Sequence, residues 1–137
     1  MHTETEIAKL MDAAMLADCD LGCTACLSDE RIASLYNGCG PEWLPAAARE
    51  KLTSFLSIFE PAFVIHDVDY SQADGSTYAF TAANDRLEAN CLKLADRAYP
   101  WYSWRRYSAR LAAIEIASLC RRYGWHPYTQ AQKKGNS

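Results

Sequence analysis

No uninterrupted apolar run in this chain approaches the ~18 residues needed to cross a bilayer, although half of its 137 residues are hydrophobic. A membrane-spanning helix is therefore not expected. Met1 to Glu6 are acidic and lack the basic and apolar regions of a secretory leader. The chain is thus expected in the cytoplasm at synthesis, with any later release left to another device. Glycine and proline are scarce, at 6 and 5 residues, and no segment alternates apolar and polar residues with a β period, which argues against a sheet protein. Histidine numbers only 3, too few for a site built on several imidazole ligands, such as that of a metallophosphohydrolase. What remains is one domain with a single core, residues 1–128, followed by a polar, flexible tail over 129–137.

The net charge of −3 conceals a gradient: residues 1–100 sum to −9 and residues 101–137 to +6. Such asymmetry suits an anionic partner, or else a solvated basic helix face. Six cysteines (19, 23, 26, 39, 91 and 120) would suit three disulfides in an oxidising compartment. Cys19, Cys23 and Cys26 would need Cys39, Cys91 or His126 to complete a metal site. Buried free thiols are the simpler expectation, because reduced cysteine behaves as a small hydrophobe.

The punctuation predicts an all-α domain. Thr3-Glu4-Thr5-Glu6 is a capping box, followed by Ile7, Leu10, Met11 and Ala14 at helical spacing. That helix should fade between Asp18 and Gly22. Ser28 or Asp29 caps a short second helix ending near Tyr36. A third begins near Pro45 and carries Leu52, Phe55, Leu56 and Phe59 on one face. Pro61 is expected to interrupt it and to open a new helix running to about Ser71. Ala73-Asp74-Gly75-Ser76 reads as a loop. Further helices are expected from about Thr77 to Ala98 and from near Tyr102 to Tyr123, with Gly124 as a terminator.

Three segments carry chemistry. Tyr36-Asn37-Gly38-Cys39-Gly40-Pro41 is a bent loop whose alternate glycines allow backbone carbonyls to turn around a hard cation. His66-Asp67-Val68-Asp69-Tyr70 sets a base beside a hard anionic ligand; neighbouring helix positions diverge by ~100°, so Asp67 can reach an ion while His66 faces a substrate. Tyr70 lies one turn beyond His66 on the same face. In the 77–98 helix, Phe80, Ala83, Leu87, Cys91, Leu94 and Ala98 define the buried stripe. Asn84 lies roughly 55° from its centre and Asp85 roughly 155° from it, so Asn84 is the residue expected to face His66, with Asn90 also on the inner margin.

Together these segments resemble the phospholipase A2 superfamily, in its compact viral and microbial form, over about residues 35 to 92. Tyr36-x-Gly38-x-Gly40 is similar to the family's calcium loop, His66-Asp67-x-x-Tyr70 to its catalytic helix, and Ala83-Asn84-x-x-Leu87-x-x-Asn90 to its third helix. The resemblance implies a small helical domain with two antiparallel site helices, and Ca²⁺ held by the carbonyls of Tyr36, Gly38 and Gly40 with the carboxylate of Asp67. It implies His66 as general base on a water attacking the sn-2 ester of a phospholipid, Gly38 N–H on the oxyanion, and Asn84 and Tyr70 steadying the imidazole. Phe63 and Asp69 stand where the secreted branch has cysteines, and Asn84 stands where the family has an aspartate. An amide holds the tautomer but supplies no charge to an imidazolium. A slow enzyme is therefore expected, or else a lipid- or protein-binding module that has lost turnover.

Trp101, Tyr102 and Trp104 stand beside Arg105, Arg106 and Arg110, a composition that suits an anionic membrane surface touched peripherally. Trp104, Tyr107, Leu111 and Ile114 also follow the spacing of a core stripe. No nucleic-acid motif accompanies the arginines, and no nucleic-acid partner is expected.

Overall fold

The computed structural model of the chain describes residues 2–36 and 46–135. Gly38 and Gly40, and with them most of the expected calcium loop and Cys39, lie outside the described residues. The described residues form six α-helices and one 3-10 turn, with no strand among them.

α1 (Glu4–Leu16) starts where Thr3 Oγ1 accepts the Glu6 N–H while the Glu6 carboxylate accepts the Thr3 N–H. It ends at two left-handed residues, Asp18 (φ 59°) and Gly22 (φ 53°). The second opens a 3-10 turn over Gly22–Cys26. Gly22 is required there: a Cβ would stand 2.5 Å from Asp69 Oδ1, and its absence lets Cys23 N–H reach that carboxylate at 2.9 Å. Ser28 caps α2 (Asp29–Leu35). After the undescribed segment, α3 (Ala46–Gln72) runs to a tight link in which Asp74 Oδ1 accepts Ser76 N–H and Gly75 sits at φ 85°. Ser76 then caps α4 (Thr77–Ala98), Ser103 caps α5 (Trp104–Tyr123), and α6 (Trp125–Gly135) follows at once.

α3 is the central element. From Phe59 to Ser71 every residue is buried except Glu60 and Asp67, which are partly exposed. A helix apolar on all sides must be wrapped by others, and α1, α2, α4, α5 and α6 all pack against it. The expected break at Pro61 is not there: α3 is continuous through it. Proline removes one backbone hydrogen bond, at a cost of about 3 kcal/mol in a helix interior. Here the carbonyl it strands belongs to exposed Ser57, and the burial of the residues that follow outweighs the loss.

Three further expectations are corrected. Residues 129–135, expected as a flexible tail, continue α6, where Tyr128 is fully buried and Gln132 Nε2 donates to the Tyr70 carbonyl at 2.6 Å. Gly124 is not left-handed (φ −83°); its bare Cα instead admits the Tyr70 hydroxyl, which would stand 2.9 Å from a Cβ. Trp104, Tyr107, Leu111 and Ile114 do not form the core face of α5, since all four are exposed. The buried face is Ala109, Ala112, Ala113, Ile116, Ala117 and Cys120. Small side chains let α5 approach α4 closely, which large aromatic residues would prevent.

Among the described residues no helix is long and apolar enough to cross a membrane. The close α4–α5 contact makes a direct prediction. Ala113→Leu should lower the unfolding free energy by about 1–3 kcal/mol in chemical denaturation through overpacking, whereas Ile114→Gln on the opposite face should change it by less than about 0.5 kcal/mol.

Candidate functional site

The loop between α3 and α4 is short, so the two helices run antiparallel and bring their polar residues to one level. There His66 Nε2 lies 2.8 Å from Asn84 Oδ1, and Tyr70 Oη donates to the same oxygen at 2.9 Å. The imidazole and phenol rings lie with centroids 4.1 Å apart, as the spacing of one helical turn dictates. Two acceptor positions on the amide oxygen are thus used by two donors. This assignment of the Asn84 amide makes Nε2 the protonated nitrogen and leaves Nδ1 with the lone pair. Asn84 Nδ2 is buried without a hydrogen-bond partner among the described residues.

Asn84 is fully buried, whereas Asp85 points outward and pairs with Arg121 at 2.8 Å. The helical angle therefore placed the right residue opposite His66. His66 itself is only 6% exposed. Burial lowers its pKa below the ordinary 6.5, against opposing contributions from the Asn84 hydrogen bond and the negative charge of Asp69. The imidazole is accordingly neutral at pH 7, the state a general base requires. Burial also raises the pKa of Tyr70, keeping its hydroxyl a donor.

Asp67 occupies the one partly exposed position between Pro61 and Ser71 on α3. Burial pushes the Cys120 thiol up to about 12, with the Asp67 charge adding to the effect, which sets this carboxylate near α5. At Tyr36 the chain leaves α2 in an extended conformation (φ −79°, ψ 121°). Its hydroxyl donates to Glu60 Oε1 at 3.3 Å, and His2 Nε2 lies 3.0 Å from the same atom. The entrance to the expected calcium loop is thus pinned to α3. A carboxylate beside backbone carbonyls would be an all-oxygen set suited to Ca²⁺; Asp67 is a partly exposed carboxylate on α3, and Gly38 and Gly40 lie outside the described residues. No group of three or more His, Cys, Asp or Glu side chains able to hold a metal occurs among the described residues, so a site on Cys19, Cys23 and Cys26 is not supported there. Cys19, Cys91 and Cys120 are buried free thiols, whereas Cys23 and Cys26 are free but exposed, against the expectation of burial.

Two supports have partners that the sequence does not reveal. Asp69, buried at the level of the site, accepts from Cys23 N–H and from Arg86 Nη1 at 2.7 Å, while Arg86 Nε pairs with Asp20 at 3.1 Å. Asn90 binds both the N–H and the carbonyl of Asp20. Together they tie the Asp18–Cys26 segment to α3 and α4. The placement of Asp69 three residues after His66 hinted at a shared helix face, but its partners are distant in sequence.

No protein-family model matches this chain, and neither a curated protein nor a solved structure is found to match it.

A neutral buried histidine has a stability signature. The unfolded chain takes up a proton as pH falls through about 6.5, while native His66 resists it, so stability is full above that pH and declines as pH drops toward the lowered native value. Thermal unfolding from pH 7.5 down to about 5 should show a steeper fall in midpoint for the wild type than for His66→Gln.

Proposed function

We propose that this chain is a Ca²⁺-dependent, phospholipase A2-like ester hydrolase acting on the sn-2 acyl ester of phospholipids. The observation that supports this reading is the neutral His66 imidazole, held through Nε2 by an oxygen it shares with Tyr70, next to a partly exposed carboxylate. Asp67 and the carbonyls of Tyr36, Gly38 and Gly40 would hold Ca²⁺, which when bound polarises the ester carbonyl. The remaining chemistry belongs to the chain. Nδ1 of His66 takes a proton from a water as that water attacks the carbonyl carbon, and returns it to the departing lysophospholipid oxygen. Gly38 N–H donates to the oxyanion. Asn84 and Tyr70 are positioning residues that fix the tautomer and the ring plane.

One observation favours a second reading. The amide of Asn84 brings no negative charge to the imidazolium that forms during proton transfer, and its Nδ2 has no hydrogen-bond partner among the described residues. A binding module with the same scaffold and no turnover is the alternative.

Fatty-acid release from phosphatidylglycerol vesicles, with Ca²⁺ or with chelator, separates the two. The hydrolase reading predicts release that requires both Ca²⁺ and His66. His66→Gln should abolish it while circular dichroism remains helical. Asn84→Asp should raise the rate by about tenfold or more by supplying the missing charge. Asp85→Ala should leave the rate unchanged, because Asp85 faces solvent. Release that persists in His66→Gln would remove His66 from the mechanism, and Ca²⁺-dependent vesicle binding without release would select the binding module.

A further inference from the structure

Eleven large hydrophobic side chains are substantially exposed among the described residues, and six of them fall within Trp101–Ile114. Single exposed apolar residues are ordinary, but a contiguous group marks a contact surface. Trp104, Tyr107, Leu111 and Ile114 follow one another at intervals of three, four and three residues. At ~100° per residue they form one stripe on the side of α5 opposite its alanine-rich buried face. Trp101 and Tyr102 extend the stripe around the corner before α5, with exposures of 82% and 73%. The rings of Trp101 and Tyr102 are in contact, as are those of Trp104 and Tyr107. Between them runs an open groove of about 340 Å³.

Charge selects the occupant. From Arg97 to Ile114 the chain has four arginines and no carboxylate. Arg106 and Arg110 share Asp96. Arg97 and Arg105 are exposed and have no ion pair among the described residues, Arg105 resting instead on the Tyr99 ring. The first turn of α5 contains no acidic residue, so the positive end of the helix dipole adds to theirs. A second copy of the chain docked on this face, in either orientation, would set one net-cationic edge, four arginines against Asp96, against another. An anionic surface faces no such repulsion. Indole and phenol rings are favoured at headgroup depth, arginine stems lie along apolar surface with their heads in the charged layer, and Leu111 and Ile114 need no directional partner.

We propose that the outer face of α5, with the Trp101–Tyr102 corner, is a docking surface for anionic lipid bilayers. The inference stands on this surface alone and not on the hydrolase reading. The body of α5 separates the stripe from α3 and α4, so binding and hydrolysis are measured independently.

The test is co-sedimentation in chelator with vesicles of equal parts phosphatidylglycerol and phosphatidylcholine, beside vesicles of phosphatidylcholine alone. The wild type should sediment with the anionic vesicles and be released by added salt. The double variant Trp101→Ser/Trp104→Ser should bind at least about tenfold more weakly. Arg97→Gln/Arg105→Gln should bind more weakly and with less dependence on salt. All these side chains are exposed, so the variants should keep the wild-type circular dichroism. Absence of wild-type binding to anionic vesicles, or undiminished binding by the tryptophan variant, would overturn the proposal. A concentration-dependent dimer that the tryptophan variant abolishes would also overturn it, by giving the face to a second copy.

Discussion

Desolvating an imidazole between two packed helices is unfavourable unless its ring N–H finds an acceptor, and in this chain that acceptor is the side-chain oxygen of Asn84. The same oxygen receives the Tyr70 hydroxyl, so one buried amide serves two donors from the opposite helix. This contact sets the level of α4 against α3, because sliding either helix by one residue would leave three polar groups unpaired in the core. It also settles the protonation of His66. Burial lowers its pKa, the amide takes the Nε2 hydrogen, and Nδ1 retains its lone pair.

The rest of the molecule arranges itself around that contact. α6 seals one side, with Gly124 against the Tyr70 hydroxyl and Tyr128 packed edge-on to the Tyr70 ring. Asp69 and Arg86 hold the Gly22–Cys26 turn on another side. Asp67 is the one residue of α3 between Pro61 and Ser71 with access to solvent, which puts a carboxylate at the rim beside an enclosed base. Replacing buried hydrogen-bonded partners by apolar groups of the same shape can be nearly neutral for stability, so stability alone does not call for this polar set. Under the proposed function, the polar set is a site that the fold encloses at some cost to itself.

Much of this was legible in the sequence where the determining physics is local. Thr3 and Ser28 announce helix starts because a side-chain oxygen next to a free backbone N–H acts within four residues. The facing of Asn84 and the exposure of Asp85 followed from helical angle alone. The misreadings arose where tertiary packing overrides a local signal. Pro61 ordinarily breaks a helix, but burial on all sides carries α3 through it. α5 has two apolar faces, one of alanines and one of large aromatic and aliphatic residues. Hydropathy favours the large ones, whereas close approach to α4 favours the small. The Asp69–Arg86–Asp20 network joins three segments far apart in sequence and carries no local signature.

The most direct test of the account is the protonation of one nitrogen. Long-range ¹H–¹⁵N correlation spectra of the histidine side chains at neutral pH would assign the tautomer of His66. The structure predicts a neutral ring with hydrogen on Nε2 and a bare Nδ1. A ring protonated on Nδ1, or an imidazolium at neutral pH, would mean that Asn84 does not hold His66 as a base, and the proposed chemistry would lose its foundation.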